Sequence, residues 1–186
     1  MDGTLTHAIH DFEAIRAQLG LPPGQPILEA LDALPADEAK ALHQQLDEIE
    51  YDIAYQATAQ PGATRLLDAL LARDCTVGIL TRNGKGIAAA TLEAAGLQQY
   101  FDSHSTVTRD CCAPKPDPAG VHLLLSRWQA EPGTAVMTGD YLYDLQAGHT
   151  AGLATVHMDI SAQYPWPELT TLAVASLEEL ATRIGA

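Results

Sequence analysis

Cationic side chains are scarce in this chain. Ten Lys and Arg stand against 24 Asp and Glu over 186 residues, a formal charge of −14, whereas nucleic acids and anionic membranes are bound through clusters of Lys and Arg. No nucleic-acid or membrane-surface partner is expected. The same field repels an anionic substrate, so any phosphate site must supply local cations, from side chains or a metal. Long apolar runs are lacking too: the stretches at 77–80 and 121–125 fall far short of the ~20 residues that span a bilayer. The segment Met1-Asp2-Gly3-Thr4-Leu5 has neither the basic start nor the apolar run of a secretory leader, so a cytoplasmic location is expected. Cysteine is limited to Cys75, Cys111 and Cys112, an odd count with two neighbours in sequence, which argues against a disulfide framework. No Cys-x-x-Cys or His-Glu-x-x-His spacing occurs, so zinc is not expected either.

What is present divides into two zones. From 7 to 60 the apolar spacing is helical: Phe12, Ile15 and Leu19, then Ala39, Leu42, Leu46, Ile49 and Ile53, repeat at three and four. Pro22-Pro23-Gly24 separates the first helix from the rest, and Pro61-Gly62 closes the zone. From 61 onward, helical stretches at 63–72, 86–95, 118–129 and 144–151 alternate with β-rich runs at 76–80, 105–108, 134–137 and 154–158. That alternation predicts an α/β fold with a parallel sheet and crossover helices. Ser176 and Glu179 form a capping box for a final helix. The expected organisation is a core of 1–6 and 61–186 with an all-helical insert of 7–60. The stripe of Leu42, Leu46, Ile49 and Ile53 suits the insert's own core better than a dimer seam.

Open α/β sheets place ligands at the carboxyl ends of their strands, and four polar groups fall there or at the chain's start. They are Asp2-Gly3-Thr4, Thr81-Arg82-Asn83 ahead of Gly84-Lys85-Gly86, Pro114-Lys115-Pro116-Asp117-Pro118, and Gly139-Asp140 with Asp144. Each has an ordinary reading as a turn, a helix cap or a rigid loop. Together and in this order they point to phosphate chemistry. A hydroxyl and a cation suit phosphate oxygens, and clustered carboxylates suit a hard divalent cation.

In this combination the sequence resembles the haloacid dehalogenase-like hydrolases, in particular the phosphoglycolate-phosphatase-like branch with a helical cap after the first motif. The resemblance implies a Rossmann-like sheet with the cap above its strand ends, and hydrolysis of small phosphomonoesters. It implies Asp2 as the acid and base, Thr81 as the hydroxyl on the phosphoryl oxygens, and Lys115 as the cation steadying nucleophile and transferring group. Asp140, with Asp144 directly or through water, would hold Mg²⁺ together with the Asp2 backbone carbonyl. Arg82 and Asn83 are substrate-binding candidates, with Lys85 and the 84–86 amides as further phosphate donors.

One departure is severe. The family's first motif reads Asp-x-Asp-Gly-Thr, so Met1 occupies the x position and the attacking Asp falls one residue before Met1. The apolar strand leading into that Asp, central in the sheet, is missing with it. The expectation is therefore that Met1 is an internal methionine of a longer phosphatase and that the 186 residues alone are inactive. The alternative is a catalytically silent phosphate- or metal-binding remnant with a regulatory role. A receiver-like signalling domain uses a similar Asp, Thr and Lys set, but the helical insert between Asp2 and Thr81 counts against it. The expected partner is a small phosphorylated metabolite, bound by a monomer or weak homodimer.

Overall fold

A computed structural model describes residues 1–185. Its first zone holds three helices: α1 (Phe12–Gln18), α2 (Ile27–Asp32) and α3 (Ala36–Ala54). Asp11 caps α1 by accepting the Ala14 amide at 3.0 Å. Pro26 and Pro35 stand immediately before α2 and α3, where a fixed φ and a missing N–H cost nothing. The short α2 was not expected from the sequence, because six residues between two prolines are too few to show a periodic stripe. Ile15, Leu19, Ile27, Leu31 and Leu46 bury one another, and Leu42, Ile49 and Ile53 pack around them. The insert thus has a core of its own.

The second zone runs α4 (Ala63–Leu71), β1 (Ile79–Leu80), α5 (Lys85–Ala94), β2 (Thr106–Val107), α6 (Ala119–Trp128), β3 (Val136–Gly139), α7 (Leu142–Thr150), β4 (Ala154–Met158), β5 (Leu172–Val174) and α8 (Leu177–Arg183). Every strand pairing is parallel, as strands joined by helices require. Ile79 packs with Leu66, Leu67, Leu92 and Met158 in one cluster, and Leu80 with Val107, Val121 and Leu124 in another. Adjacent strand residues point to opposite faces, and helices cover both. The strand β5 went unforeseen because three residues cannot display alternation. β3 starts at Val136, not 134, because a 3₁₀ turn over Pro132–Thr134 precedes it. Ser176 accepts the Glu179 amide at 3.1 Å, as a capping box requires, but Glu179 reaches back to the amide of Ala175, not that of Ser176.

The strands form two ladders, β1-β2 and β3-β4-β5. Among the described residues, none pairs with the outer edge of β3 or with the edge of β1 away from β2. Leu80 and Met137 nevertheless pack in the same cluster, so the two ladders lie side by side over shared helices. Val136 on β3 is 59% exposed, unlike valines of an interior parallel strand.

Beyond β4, Asp159 organises the turn that leads towards β5. Its carboxylate accepts the Ser161 hydroxyl at 2.6 Å and the amides of Ser161, Gln163 and Tyr164 at 2.9 to 3.0 Å. Burial works against the charge, but these donors hold its pKa at about 2. A depressed carboxylate stabilises the fold above its unfolded pKa, and that contribution is lost as pH falls through the folded value. Asp159→Ala should therefore cost about 1 kcal/mol at neutral pH, discounted for the solvent-facing turn. In urea titrations the cost should shrink between about pH 4 and pH 2; a penalty independent of pH would contradict this account.

Candidate active site

The site begins with a tight turn. The Met1 carbonyl accepts the amides of Thr4, Leu5 and Thr6 at 2.8 to 3.2 Å, and Gly3 adopts φ +76° against the Asp140 side chain, into which a Cβ would collide. A residue without a side chain is needed there. The turn aims Asp2 at the end of β1, where its carboxylate accepts the Asn83 side-chain amide at 2.9 Å and the Thr6 hydroxyl at 3.3 Å. Thr81 is buried and its hydroxyl accepts the Asn83 amide at 3.1 Å. Thr4 donates to Asp140 at 2.8 Å across 136 positions of sequence.

Lys115 is buried between the two ladders. Its ammonium donates to the carbonyl of Leu80, at the end of β1, at 2.9 Å and to Asp144, on the first turn of α7, at 2.5 Å. The second Asp144 oxygen accepts the Tyr141 amide at 3.1 Å. Burial alone would raise the Asp144 pKa, but the Lys115 charge overrides it and holds the carboxyl below its usual range. Asp140 lacks such a partner: burial and then the neighbouring Asp144 charge raise its pKa.

Asp2, Thr81, Arg82, Asn83, Lys115, Asp140 and Asp144 all line one cavity of about 610 Å³, whose other wall is the helical insert. Among the described residues no group of three or more His, Cys, Asp or Glu side chains is arranged to hold a metal. Asp140 and Asp144 are two hard oxygen donors whose mutual repulsion a cation would relieve, so the set suits a divalent ion in kind and falls one donor short in number. Both Asp144 oxygens already have protein partners, so Asp140 is the more open of the two.

Three assignments look different in three dimensions. Arg82 turns towards the insert, pairing with both Glu29 oxygens at 2.8 Å, donating to the Lys115 carbonyl and lying over the Tyr143 ring at 5.1 Å. The Lys85 amide is taken by Asp110 at 2.7 Å, and Lys85 lines a separate cavity of about 400 Å³. Lys115 meets Asp144, a partner the sequence did not suggest. Sequence reasoning missed Arg109, which follows β2. It bonds Asp47 at 2.6 Å and Glu50 at 3.0 Å on α3. Its place at a strand end was the available signal. Tyr51 of α3 also presses on Gly86 so closely that a Cβ there would meet the phenol oxygen. The insert is thus clasped to the strand-end loops by two arginines and one close backbone approach.

The chain is similar in sequence and fold to known proteins. Residues 8–158 match the family model of the haloacid dehalogenase-like hydrolases. Pyrophosphatase PpaX of Bacillus velezensis is 30% identical over 142 residues, which cover 71% of this chain and 61% of that protein. The phosphoglycolate phosphatase of Rhodospirillum rubrum is 37% identical over 120 residues, 63% of this chain and 49% of that protein. The chain therefore spans about half to three fifths of the length of these relatives. The crystal structure of a hydrolase from Pseudomonas syringae superposes with a TM-score of 0.82 at 22% identity, covering 99% of this chain and 94% of that one. With strand-end residues gathered under a helical insert and a family match over most of its length, the chain belongs to the haloacid dehalogenase-like hydrolases.

Proposed function

We propose that the protein is a Mg²⁺-dependent phosphatase of small phosphomonoesters, active when an Asp stands directly before Met1. The observation that carries this reading is the convergence of Asp2, Thr81, Lys115, Asp140 and Asp144 on one capped cavity at the strand ends. In the proposed reaction the preceding Asp attacks phosphorus and the ester P–O bond breaks. Asp2 gives its proton to the leaving oxygen. Asp2 then takes a proton from the water that cleaves the phosphoaspartate, releasing phosphate. The Asn83 and Thr6 donors hold the Asp2 carboxyl in place for both transfers. Thr81 holds the phosphoryl oxygens. Lys115 fixes Asp144 and adds positive charge beside them. Asp140, with the preceding Asp, would hold Mg²⁺, which when bound offsets charge on the phosphoryl group. The break between β1 and β3 fits a further parallel strand leading into that Asp. A small metabolite suits an enclosed cavity in an acidic protein, and we place the protein in the cytoplasm as a monomer or weak homodimer.

A second reading is favoured by one observation: Lys115 is already committed to the Leu80 carbonyl and to Asp144, and both Asp144 oxygens have protein partners. On that reading the chain is a silent phosphate- or metal-binding remnant with a regulatory role. The coding sequence directly upstream separates the two, because only the enzyme requires an in-frame apolar run ending in Asp.

The test uses the chain extended by such a strand. Asp140→Asn should lower its hydrolysis of p-nitrophenyl phosphate on the order of 10²-fold and weaken Mg²⁺ dependence, through loss of one anionic ligand. Removal of the Asp140–Asp144 repulsion should at the same time raise the melting temperature of the metal-free protein. Unchanged activity and unchanged Mg²⁺ affinity would leave Asp140 as a partner of Thr4 and nothing more.

A further inference from the structure

The cavity is lined by four Arg and Lys side chains, and each is engaged by the protein itself. Its lining includes Arg16, Arg82, Arg109 and Lys115. Arg16 is forked onto Glu13 and also donates to the Gln25 carbonyl at 3.2 Å. Arg82 is committed to Glu29, and Arg109 to Asp47 and Glu50. Lys115 serves Asp144 at the phosphoryl end. His10, also on the wall, stacks on Phe12 with centroids 5.4 Å apart.

On the cap side the same wall presents carboxylates. Glu50 on α3 lines the cavity and is buried. One of its oxygens accepts from Arg109 at 3.0 Å, and no hydrogen bond among the described residues engages the other. Glu13 lines the cavity from α1. A carboxylate or second phosphate on the alcohol portion of a substrate would meet these two acids. To gain an arginine it would have to pull one from its partner, leaving a desolvated carboxylate behind. A hydroxyl or an ammonium would instead find the second Glu50 oxygen as an acceptor already in place. Phe12, Ile27 and Leu46 supply the apolar remainder of that wall, which suits a short carbon skeleton.

We infer that the cap selects phosphomonoesters whose alcohol portion carries no second anionic group, such as polyol and amino-alcohol phosphates, with Glu50 as the specificity-determining side chain. The inference rests on the phosphatase reading and sets the substrate class apart from the one that a relative's name, phosphoglycolate phosphatase, indicates for that protein.

The test is a kcat/KM comparison in the extended chain, with p-nitrophenyl phosphate as reference ester and glycerol phosphate, phosphoethanolamine, phosphoglycolate and 3-phosphoglycerate as probes. Glycerol phosphate and phosphoethanolamine should exceed both carboxylated esters on the order of 10-fold or more, the discrimination expected of one buried charge contact. Glu50→Gln keeps a side chain that can accept from Arg109 and removes the charge, so it should shrink that ratio at least about threefold. Glu13→Gln, on the exposed face of α1, should shrink it in the same direction and provides the check if the buried variant does not fold. A preference for either carboxylated ester, or a ratio that neither variant moves, overturns the inference and leaves the phosphatase reading intact. Absence of hydrolysis of every ester, p-nitrophenyl phosphate included, overturns that reading and the inference with it.

Discussion

An apolar strand ending in Asp, joined directly to Met1, should confer Mg²⁺-dependent hydrolysis of p-nitrophenyl phosphate, whereas the same extension ending in Asn should not. Covalent catalysis fails as a unit when its nucleophile is removed, so the Asp and Asn forms should differ on the order of 10⁴-fold or more. Pairing the Asn form with the Asp form separates chemistry from folding. Both extensions supply a strand able to hydrogen-bond the open edges of β1 and β3 and to cover Val136, now 59% exposed. Covering that side chain alone should contribute about 1 kcal/mol, and the two new ladders should add to it. Both extended chains should therefore unfold at higher urea than the shorter one, while only one turns over substrate. Robust turnover by the 186 residues after rigorous purification, or equal rates for the Asp and Asn forms, would defeat the mechanism.

Lys115→Met should be the most destabilising single substitution in the site. Lys115 and Asp144 retain only 7% and 8% side-chain exposure, so removing the ammonium leaves a buried carboxylate with the Tyr141 amide as its remaining partner. Breaking one half of a buried pair costs about 3 to 5 kcal/mol. The pH dependence should also change sign. In the native chain the Asp144 pKa is depressed, so the pair stabilises above the unfolded value of about 4 and the gain fades as pH falls. Without Lys115, burial raises the pKa, and stability should then fall as pH rises through it. Urea unfolding at pH 7 and pH 4.5 should show a larger penalty at the higher pH. Lys115→Met combined with Asp144→Leu should recover much of the loss, because the buried charge goes too. A penalty below about 1 kcal/mol at pH 7 would mean that the pair behaves as a solvated one.

That Thr81, Lys115, Asp140 and Asp144 gather on one cavity was legible in the sequence for a local reason. Polar residues of useful chemistry directly after an apolar run, or between prolines, stand at the ends of strands in an alternating α/β pattern. The strand positions themselves were legible only as centres. β1 was expected over 76–80, but only Ile79 and Leu80 pair, because one neighbour alone is available to hold it. The short α2 and β5 carry too few residues for periodicity to register. What could not be read were pairings between distant charges. Arg82 finds Glu29 53 positions away, and Arg109 finds Glu50 59 positions away. No spacing rule connects such residues, and their meeting depends on how the cap is seated. The resemblance supplied a role for Lys115 but not its ion pair with Asp144.

The two connections between cap and core run alongside each other. Thr6 bridges Ala59 in antiparallel fashion, the His7 amide donates to Thr58 at 3.0 Å, and the Gln60 amide donates to Leu5 at 2.8 Å. Mechanically this is a two-ply strap. Two parallel plies cross-linked by hydrogen bonds resist torsion and lateral slip while allowing bending across their short dimension. The strap therefore fixes the direction in which the cap leaves the core at the 5–7 and 58–60 segments. Cross-linked in this way, it holds Glu29, Asp47 and Glu50 in register with the same two arginines.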